Sequence, residues 1–335
     1  MSKWYQLHGN ENDIAVCTKV QLARNIDGHV FTIHLDPAEK DLIGNSVMEV
    51  LDRKLPGKFM RIHMSEMTQN GAISLAERNL VSPEFVSFAE GRSFIMTPDE
   101  SLSLMICEED HVKIQALLPG LELSKSYELV ERLDTILDEE LTFSFDPKLG
   151  YLTQCPTNIG TAMRASVMLQ LPALRIRKSI PKLMNTVSKL GLTLTGAYGE
   201  GETPIGSLYL LSNQVTLGIE EKAALGNLNA IALSLIEQER QAREQLMGNL
   251  KFQDMLYRSL GTLKSARVMT FNEFMEAASI VKVGVAAGEI AVPEEQVNAL
   301  YFTMQPATLN ATAGQMLTRD LRDAARADRV RKLFN

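Results

Sequence analysis

Residues 94–117, FIMTPDESLSLMICEEDHVKIQAL, decide the fold class. Phe94-Ile95-Met96 runs into the turn signal Pro98-Asp99-Glu100. Leu102, Leu104 and Ile106 then alternate with other residues, and 112–117 forms another apolar-rich run. Period-two alternation broken by short polar clusters predicts adjacent antiparallel strands, with Glu108, Glu109, Asp110 and His111 between the second and the third. Working outward, further strands are expected at 165–171, 192–197 and 207–212. Helices are expected at 123–141, where Leu129, Leu133 and Leu137 recur every four residues, and at 180–190, with Pro181 near its first turn. An α+β domain, an antiparallel sheet flanked by helices, fits this order. Beyond 217 the pattern is helical: 220–247 carries Leu228, Ile231, Leu235, Ala242 and Leu246 near one face, followed by 252–264, 271–287, 293–303 and 318–334. The expected division is a catalytic-type domain at 1–219 and an all-helical domain at 220–335.

The chain has 335 residues and a formal charge of −7, which argues against a nucleic-acid coat or a basic membrane-surface protein. Its three cysteines, Cys17, Cys107 and Cys155, form no CxxC pair, so neither a disulfide framework nor a zinc ribbon is expected, and no metal-ligand set stands out. No signal-peptide core opens the chain and no apolar run is long enough to span a membrane. The expectation is a cytoplasmic protein.

Four motifs could carry chemistry. Cys155-Pro156-Thr157-Asn158-Ile159-Gly160-Thr161 places a thiol before a turn whose amides can surround a thiolate, with Arg164 nearby as a cation; the alternative is a small buried hydrophobe. Glu108-Glu109-Asp110-His111 clusters carboxylates suited to a general base or a grip on a cation, or else forms a solvated loop tip. Gly199-Glu200-Gly201-Glu202 offers a glycine-flanked carboxylate or a simple turn. Arg319, Arg322, Arg326 and Arg329 recur at helical spacing, so they can present guanidinium forks to an anion with Asp323 beside them, or make salt bridges within a solvated helix.

Taken together, CPTNIGTAMRASVMLQLPAL at 155–174, CEEDHVKIQALLPG at 107–120, TGAYGEGETPIGSLYLLSNQVTLG at 195–218 and VQLARN at 20–25 closely resemble the phosphagen (guanidino) kinase catalytic fold. Within it they resemble the bacterial protein-arginine kinases, whose RDxxRA phosphoarginine-recognition motif matches RDAARA at 322–327. The resemblance implies that Glu109 and Glu200 hold a substrate guanidinium with Cys155 alongside. A guanidinium is a poor, permanently protonated nucleophile, and opposed carboxylates can orient it and accept its proton. It also implies a nucleotide site at Thr18, Lys19, Gln21, Asn79, Lys113, Arg164, Ala165, Ser166, Val167, Met168, Thr195 and Gly196, with Mg-ATP as donor complex, and a phosphoarginine site at Arg322, Asp323 and Arg326.

Several phosphate-site positions depart from the family pattern. Lys19 and Lys113 stand where the family has arginine, Gln21 and Thr195 replace further arginines, Asn79 replaces a histidine, and Cys107 stands where asparagine is usual. Arg164 is unchanged. An arginine acting on phosphoryl-transfer charge is worth about 10³–10⁵ in rate, so these changes predict weak or lost turnover. Three outcomes stay open: compensation by Lys3, Arg24 or Arg78; a catalytically inactive pseudokinase that binds phosphoarginine or acts as an adaptor; and a donor of lower negative charge. The resemblance further implies protein substrates or phosphoarginine-bearing partners, a homodimer, a zinc-containing activator and Clp protease components.

Overall fold

A computed structural model describes residues 2–198 and 204–335. Its organising element is a strand, Ala15–Arg24 (β1), whose alternate side chains face opposite ways and meet different partners. The other strands are Met60–His63 (β2), Ser93–Met96 (β3), Leu102–Ile106 (β4), Val112–Pro119 (β5), Phe145–Asp146 (β6), Gly150–Tyr151 (β7), Met163–Gln170 (β8), Leu192–Gly196 (β9) and Leu208–Asn213 (β10). Eight of them form one antiparallel sheet in the order β2-β3-β4-β5-β1-β8-β10-β9, and β6 and β7 make a separate hairpin. Register is fixed across the centre, where Lys19 lies opposite Leu117 on β5 and Ser166 on β8, and Gln21 lies opposite Gln115 and Arg164.

The helices are Pro37–Lys54 (α1), Gln69–Glu77 (α2), Pro83–Ser87 (α3), Leu123–Leu141 (α4), Pro172–Ile176 (α5), Ile180–Ser188 (α6), Glu221–Met247 (α7), Leu250–Ser265 (α8), Phe271–Ala286 (α9), Glu294–Thr303 (α10), Pro306–Ala313 (α11) and Arg319–Phe334 (α12). On one sheet face Val20, Leu22, Ile114, Ala116, Val167 and Leu211 pack against apolar stripes of α1, α4 and α7. Each such fully buried side chain contributes about 1.5–3 kcal/mol. On the other face Cys17, Met105, Leu117 and Met168 join a second core with Trp4, Phe85 and residues of α8, α9, α10 and α12. That cover is incomplete, and the uncovered middle of the second face becomes the site described below.

The helix expected at 123–141 is α4, end to end, and the strands expected after residue 164 are β8, β9 and β10, displaced by one or two residues. β1 was not expected, because Lys19 and Gln21 break up its apolar run. α11 was not expected either. Its N-terminal amides are capped from far along the chain: the Glu77 carboxylate accepts from Ala307 N at 2.9 Å and Thr308 N at 2.7 Å. No local signal announces such a cap. The texture change near 218 marks the start of α7, yet Ala224, Leu228, Leu235 and Ala242 of α7 bury into the sheet's first core. Among the described residues, no helix is long and apolar enough to cross a membrane.

Candidate functional site

The acidic connection between β4 and β5 is held rigidly from its buried end. Asp110 accepts from Asn25 Nδ2 at 2.7 Å and from the Gln154 amide at 2.8 Å, and the His111 amide donates to Asn25 Oδ1 at 3.0 Å. The Ile26 amide donates to His111 Nδ1 at 3.0 Å, so that nitrogen carries the lone pair and Nε2–H reaches Val30 O at 2.8 Å. Burial lowers the His111 pKa, which keeps the ring neutral as this pattern requires. Asp110 and His111 are therefore structural, and Glu108 and Glu109 are the carboxylates left to face the site.

Those two differ in environment. Glu108 forms an ion pair with Lys113 and accepts from Ser82 Oγ at 2.6 Å and from the Glu109 amide at 3.0 Å. Although burial pushes its pKa up, Lys113 and these hydrogen bonds prevail and hold it below the usual value. Burial raises the Glu109 carboxyl, with Asp110 and Glu108 adding to the rise and Lys113 and Arg164 opposing it. Two adjacent carboxyls thus have opposite tendencies, and Glu109 is the better proton acceptor of the two.

Asn158 ties three parts of the site together. Its Nδ2 donates to Glu109 Oε2 at 3.4 Å, and its Oδ1 accepts from Arg164 Nη2 at 3.2 Å. It ends a short turn, Pro156–Asn158, that begins directly after Cys155. The Cys155 thiol is half-buried, with Sγ 3.0 Å from Thr157 Oγ1. The turn is seated by Gly160, whose φ is +113° and where an added Cβ would lie 2.1 Å from Thr216 O. Gly160→Ala is expected to cost about 1–3 kcal/mol and to displace the Cys155 turn. Urea unfolding midpoints check the stability, and retained wild-type stability would refute the assignment. Glu200, expected to face Glu109, lies outside the described residues, as does the rest of 199–203.

The uncovered sheet face is the floor of a cleft of about 820 Å³ lined by Lys19, Gln21, Asn79, Lys113, Gln115 and Tyr198, among others. Burial lowers the Lys19 pKa, and Lys113 adds to this while Cys17 and Glu108 oppose it. Gln21 Nε2 donates to Gln115 Oε1 at 2.7 Å, a neutral pair in the centre of the floor. Asn79 adopts φ +61° at the end of α2, a conformation asparagine tolerates well, with Nδ2 3.5 Å from Tyr198 Oη. Arg164 is exposed at the open side. Ser166 and Met168 line a small adjoining recess with Lys19 and Asn79. Thr195 and Gly196 lie on β9, the edge strand, and Thr195 is paired with Leu210.

Three residues expected in this site turn their side chains away from the cleft, as strand alternation dictates. Thr18, Ala165 and Val167 point to the opposite face. Ala165 and Val167 are in the first core, and Thr18 Oγ1 donates to Gly120 O at 2.7 Å. The side chains considered as compensating cations are also engaged elsewhere. Arg24 is buried, paired with Asp134 at 2.9 Å and stacked 3.5 Å above the Tyr151 ring centroid. Lys3 and Arg78 converge on the buried carboxylate of Glu100 at 2.9 and 2.6 Å.

The C-terminal motif is divided in its exposure. Arg326 is 1% exposed, donating to Met304 O and Met269 O, each at 2.8 Å, and paired with Asp323. It holds α12 to the neighbouring helices rather than presenting a free fork. Arg322 is only half-buried. The motif's arginines therefore do different work, which helical spacing alone could not separate. Signals that sequence reading passed over are the asparagines: Asn25 and Asn158 each bridge two loops, and both sit inside the motifs quoted above.

Comparison with known proteins places the chain in a family. The family described as ATP:guanido phosphotransferase, C-terminal catalytic domain, matches residues 42–242, and the protein-arginine kinase McsB C-terminal domain matches 249–335. A protein-arginine kinase of Desulforamulus reducens is 40% identical over 341 residues, covering 100% of this chain and 96% of that one. That of Halothermothrix orenii is 37% identical over 338 residues, covering 100% and 97%. Among solved structures, a duplicated taurocyamine kinase from Schistosoma mansoni aligns with a TM-score of 0.63 at 22% identity, over 77% of this chain and 40% of that one. A lombricine kinase aligns with a TM-score of 0.61 at 21% identity, over 71% and 69%. At those identities the two structures support the fold alone. The match along the whole chain decides the matter: this chain belongs to the protein-arginine kinase family.

Proposed function

We propose that this chain transfers the γ-phosphate of ATP to arginine side chains of proteins. The observation that carries the reading is the Glu109–Asn158–Arg164 chain of contacts, which joins the proton-accepting carboxyl to the cation beside the cleft. In this reading Glu109 orients the target guanidinium and takes its proton, Glu200 opposes Glu109 across the substrate, and Cys155 adds negative charge beside the cation. Lys19, Lys113, Arg164, Ser166 and the neutral Gln21–Gln115 floor receive the phosphates. Magnesium in phosphoryl transfer is held largely by the phosphates themselves. When bound with the nucleotide, it neutralises phosphate charge.

The test is incubation with Mg-ATP and an arginine-rich protein, followed by detection of acid-labile phosphoarginine. No product at high enzyme concentration, with an active relative as control, overturns the reading and leaves the adaptor alternative. With Lys3, Arg24 and Arg78 paired elsewhere, Lys19 is the cation of the cleft floor on which the phosphate grip is tested. Lys19→Arg is expected to tighten Mg-ATP binding about tenfold, since a charged hydrogen bond is worth about 1.5–3 kcal/mol. Wild-type affinity should fall as pH rises through the lowered Lys19 pKa, whereas the arginine variant stays flat. Calorimetry across that range measures both, and equal slopes would refute Lys19 as the gripping cation.

The family supports further proposals: a helical domain at 220–335, a phosphoarginine site using Arg322 and Asp323 with Arg326 bracing Asp323, a homodimer, a cytoplasmic location, and links to a zinc-containing activator and Clp protease components.

A further inference from the structure

The connection carrying Glu108 and Glu109 is clasped from the strands on both sides, and each clasp presents large apolar side chains to solvent. From the β3 side, Arg92 donates to Cys107 O at 2.9 Å and Glu108 O at 3.1 Å, and its guanidinium lies 5.5 Å from the ring centroids of both Phe85 and Phe88. Phe85 is buried, but Phe88 is 70% exposed. From the β1 side, Val30 O receives the His111 ring N–H, and the Ile33 amide donates to Gln154 Oε1 at 3.0 Å, one residue before Cys155. On this segment Val30 is 56%, Phe31 38% and Ile33 72% exposed.

Single exposed apolar residues are ordinary on protein surfaces. Here they sit on segments pinned by hydrogen bonds to the flanks of the same acidic site. Those bonds tie the backbone of both segments to the connection that carries Glu109 and to the turn before Cys155, without burying the side chains. A ligand that places a cation at Glu109 meets apolar surface on either side.

We propose that Phe88 on one rim and Val30, Phe31 and Ile33 on the other form a specificity surface for the polypeptide around the target arginine. The occupant is an extended segment whose arginine has bulky apolar residues two positions before and after it. In an extended chain alternate side chains face the same way and residues advance about 3.3 Å, so those neighbours enter with the arginine about 6–7 Å to either side. The cation matches the carboxylate and its neighbours cover the rims. The inference rests on the reading of Glu109 as the guanidinium holder.

The test uses binding, which needs no phosphoryl donor. Fluorescence anisotropy compares two labelled peptides with one central arginine, flanked at both second positions by leucine in one and serine in the other. The leucine peptide is expected to bind about tenfold tighter, and the ratio should fall below about threefold in an Ile33→Ser/Phe88→Ser double variant. Both substituted side chains are exposed, and an unchanged thermal midpoint verifies the fold. Equal binding of the peptides, no measurable binding of either, or a ratio that survives the double substitution overturns the proposal. A double variant that converts a dimer to monomer with the ratio intact assigns the rims to self-association and overturns it too. Peptide preference without any phosphoarginine product would instead remove the kinase reading and leave this surface standing.

Discussion

Glu109→Gln reduces arginine phosphorylation about 10³-fold, within the 10²–10⁴ that a positioned proton acceptor supplies, with no loss of stability at neutral pH. The substitution keeps the side chain's shape and its contact with Asn158 Nδ2, so the Cys155 turn stays seated. What disappears is the negative charge and the proton-accepting lone pair to which the proposed function assigns the guanidinium. The sign of the stability effect follows from the raised pKa. Burial, Asp110 and Glu108 make the folded state bind this proton more tightly than the unfolded chain does. The favourable contribution is present at low pH and is lost as pH rises through the folded value, so at neutral pH the charge gives the fold no support. The rate of phosphoarginine formation and a urea midpoint, measured together, decide it. Retained activity would remove Glu109 from the chemistry. A large loss of stability would make any rate effect indirect. On the acid side, wild-type activity should fall at a pH above the ordinary carboxylate range, because the acceptor must be ionised to work.

Lys282→Met is expected to stabilise the protein at pH 7 by about 1–4 kcal/mol, by analogy with the gain when a buried ion pair gives way to well-packed apolar groups. Lys282 on α9 is fully buried, and its Nζ has no hydrogen-bond partner among the described residues. Burial holds its pKa below the usual lysine value, the Arg243 charge lowers it further, and Glu294 and Asp13 oppose the shift. Arg243 cannot move aside, since it donates to Glu239 Oε1 at 2.9 Å, Asp13 O at 3.0 Å and Gln170 O at 3.2 Å. Between the lowered folded value and the ordinary unfolded one, the unfolded chain binds more protons. Wild-type stability therefore rises with pH through that window, and the methionine variant lacks the slope. Urea titrations from pH 6 to 10 read both effects. A destabilised variant, or a wild type without the slope, would show that Lys282 has a partner in solution.

Sequence reading works best where a pattern is local. Leu129, Leu133 and Leu137 mark α4 because a helix repeats its buried face every three to four residues. The strands on either side of Glu108 are legible from alternation. β1 is harder, since its core-facing row includes Thr18 and its outward row holds Lys19 and Gln21. Neither row is uniformly apolar or polar, although every second residue is committed to one face. The carboxylates and the thiol are recognisable as motifs. The roles of Asn25, Asn158 and Arg326 are not, because each depends on partners brought in from elsewhere in the chain: Asp110 and Leu152 O, Glu109 and Arg164, and the carbonyls of Met304 and Met269. The same limit applies to Lys3, Arg24 and Arg78. They look like spare cations in a list of residues, and only the fold reveals that each already has its counter-ion.

The alternation along β1 and β8 also governs what mutation can do to this protein. Val20, Leu22, Ala165 and Val167 carry the packing, and a change there meets close-packed neighbours at once. On the opposite row Lys19 and Gln21 line a cleft, and Arg164, across from Gln21, is exposed. A substitution at an exposed position of that row, such as Arg164, is cheap for folding, typically within about 0.5 kcal/mol. Selection for a stable sheet therefore gives little protection to the polar side chains of that row. What the cleft does decides which side chains stay on that row, and the scaffold can endure their exchange.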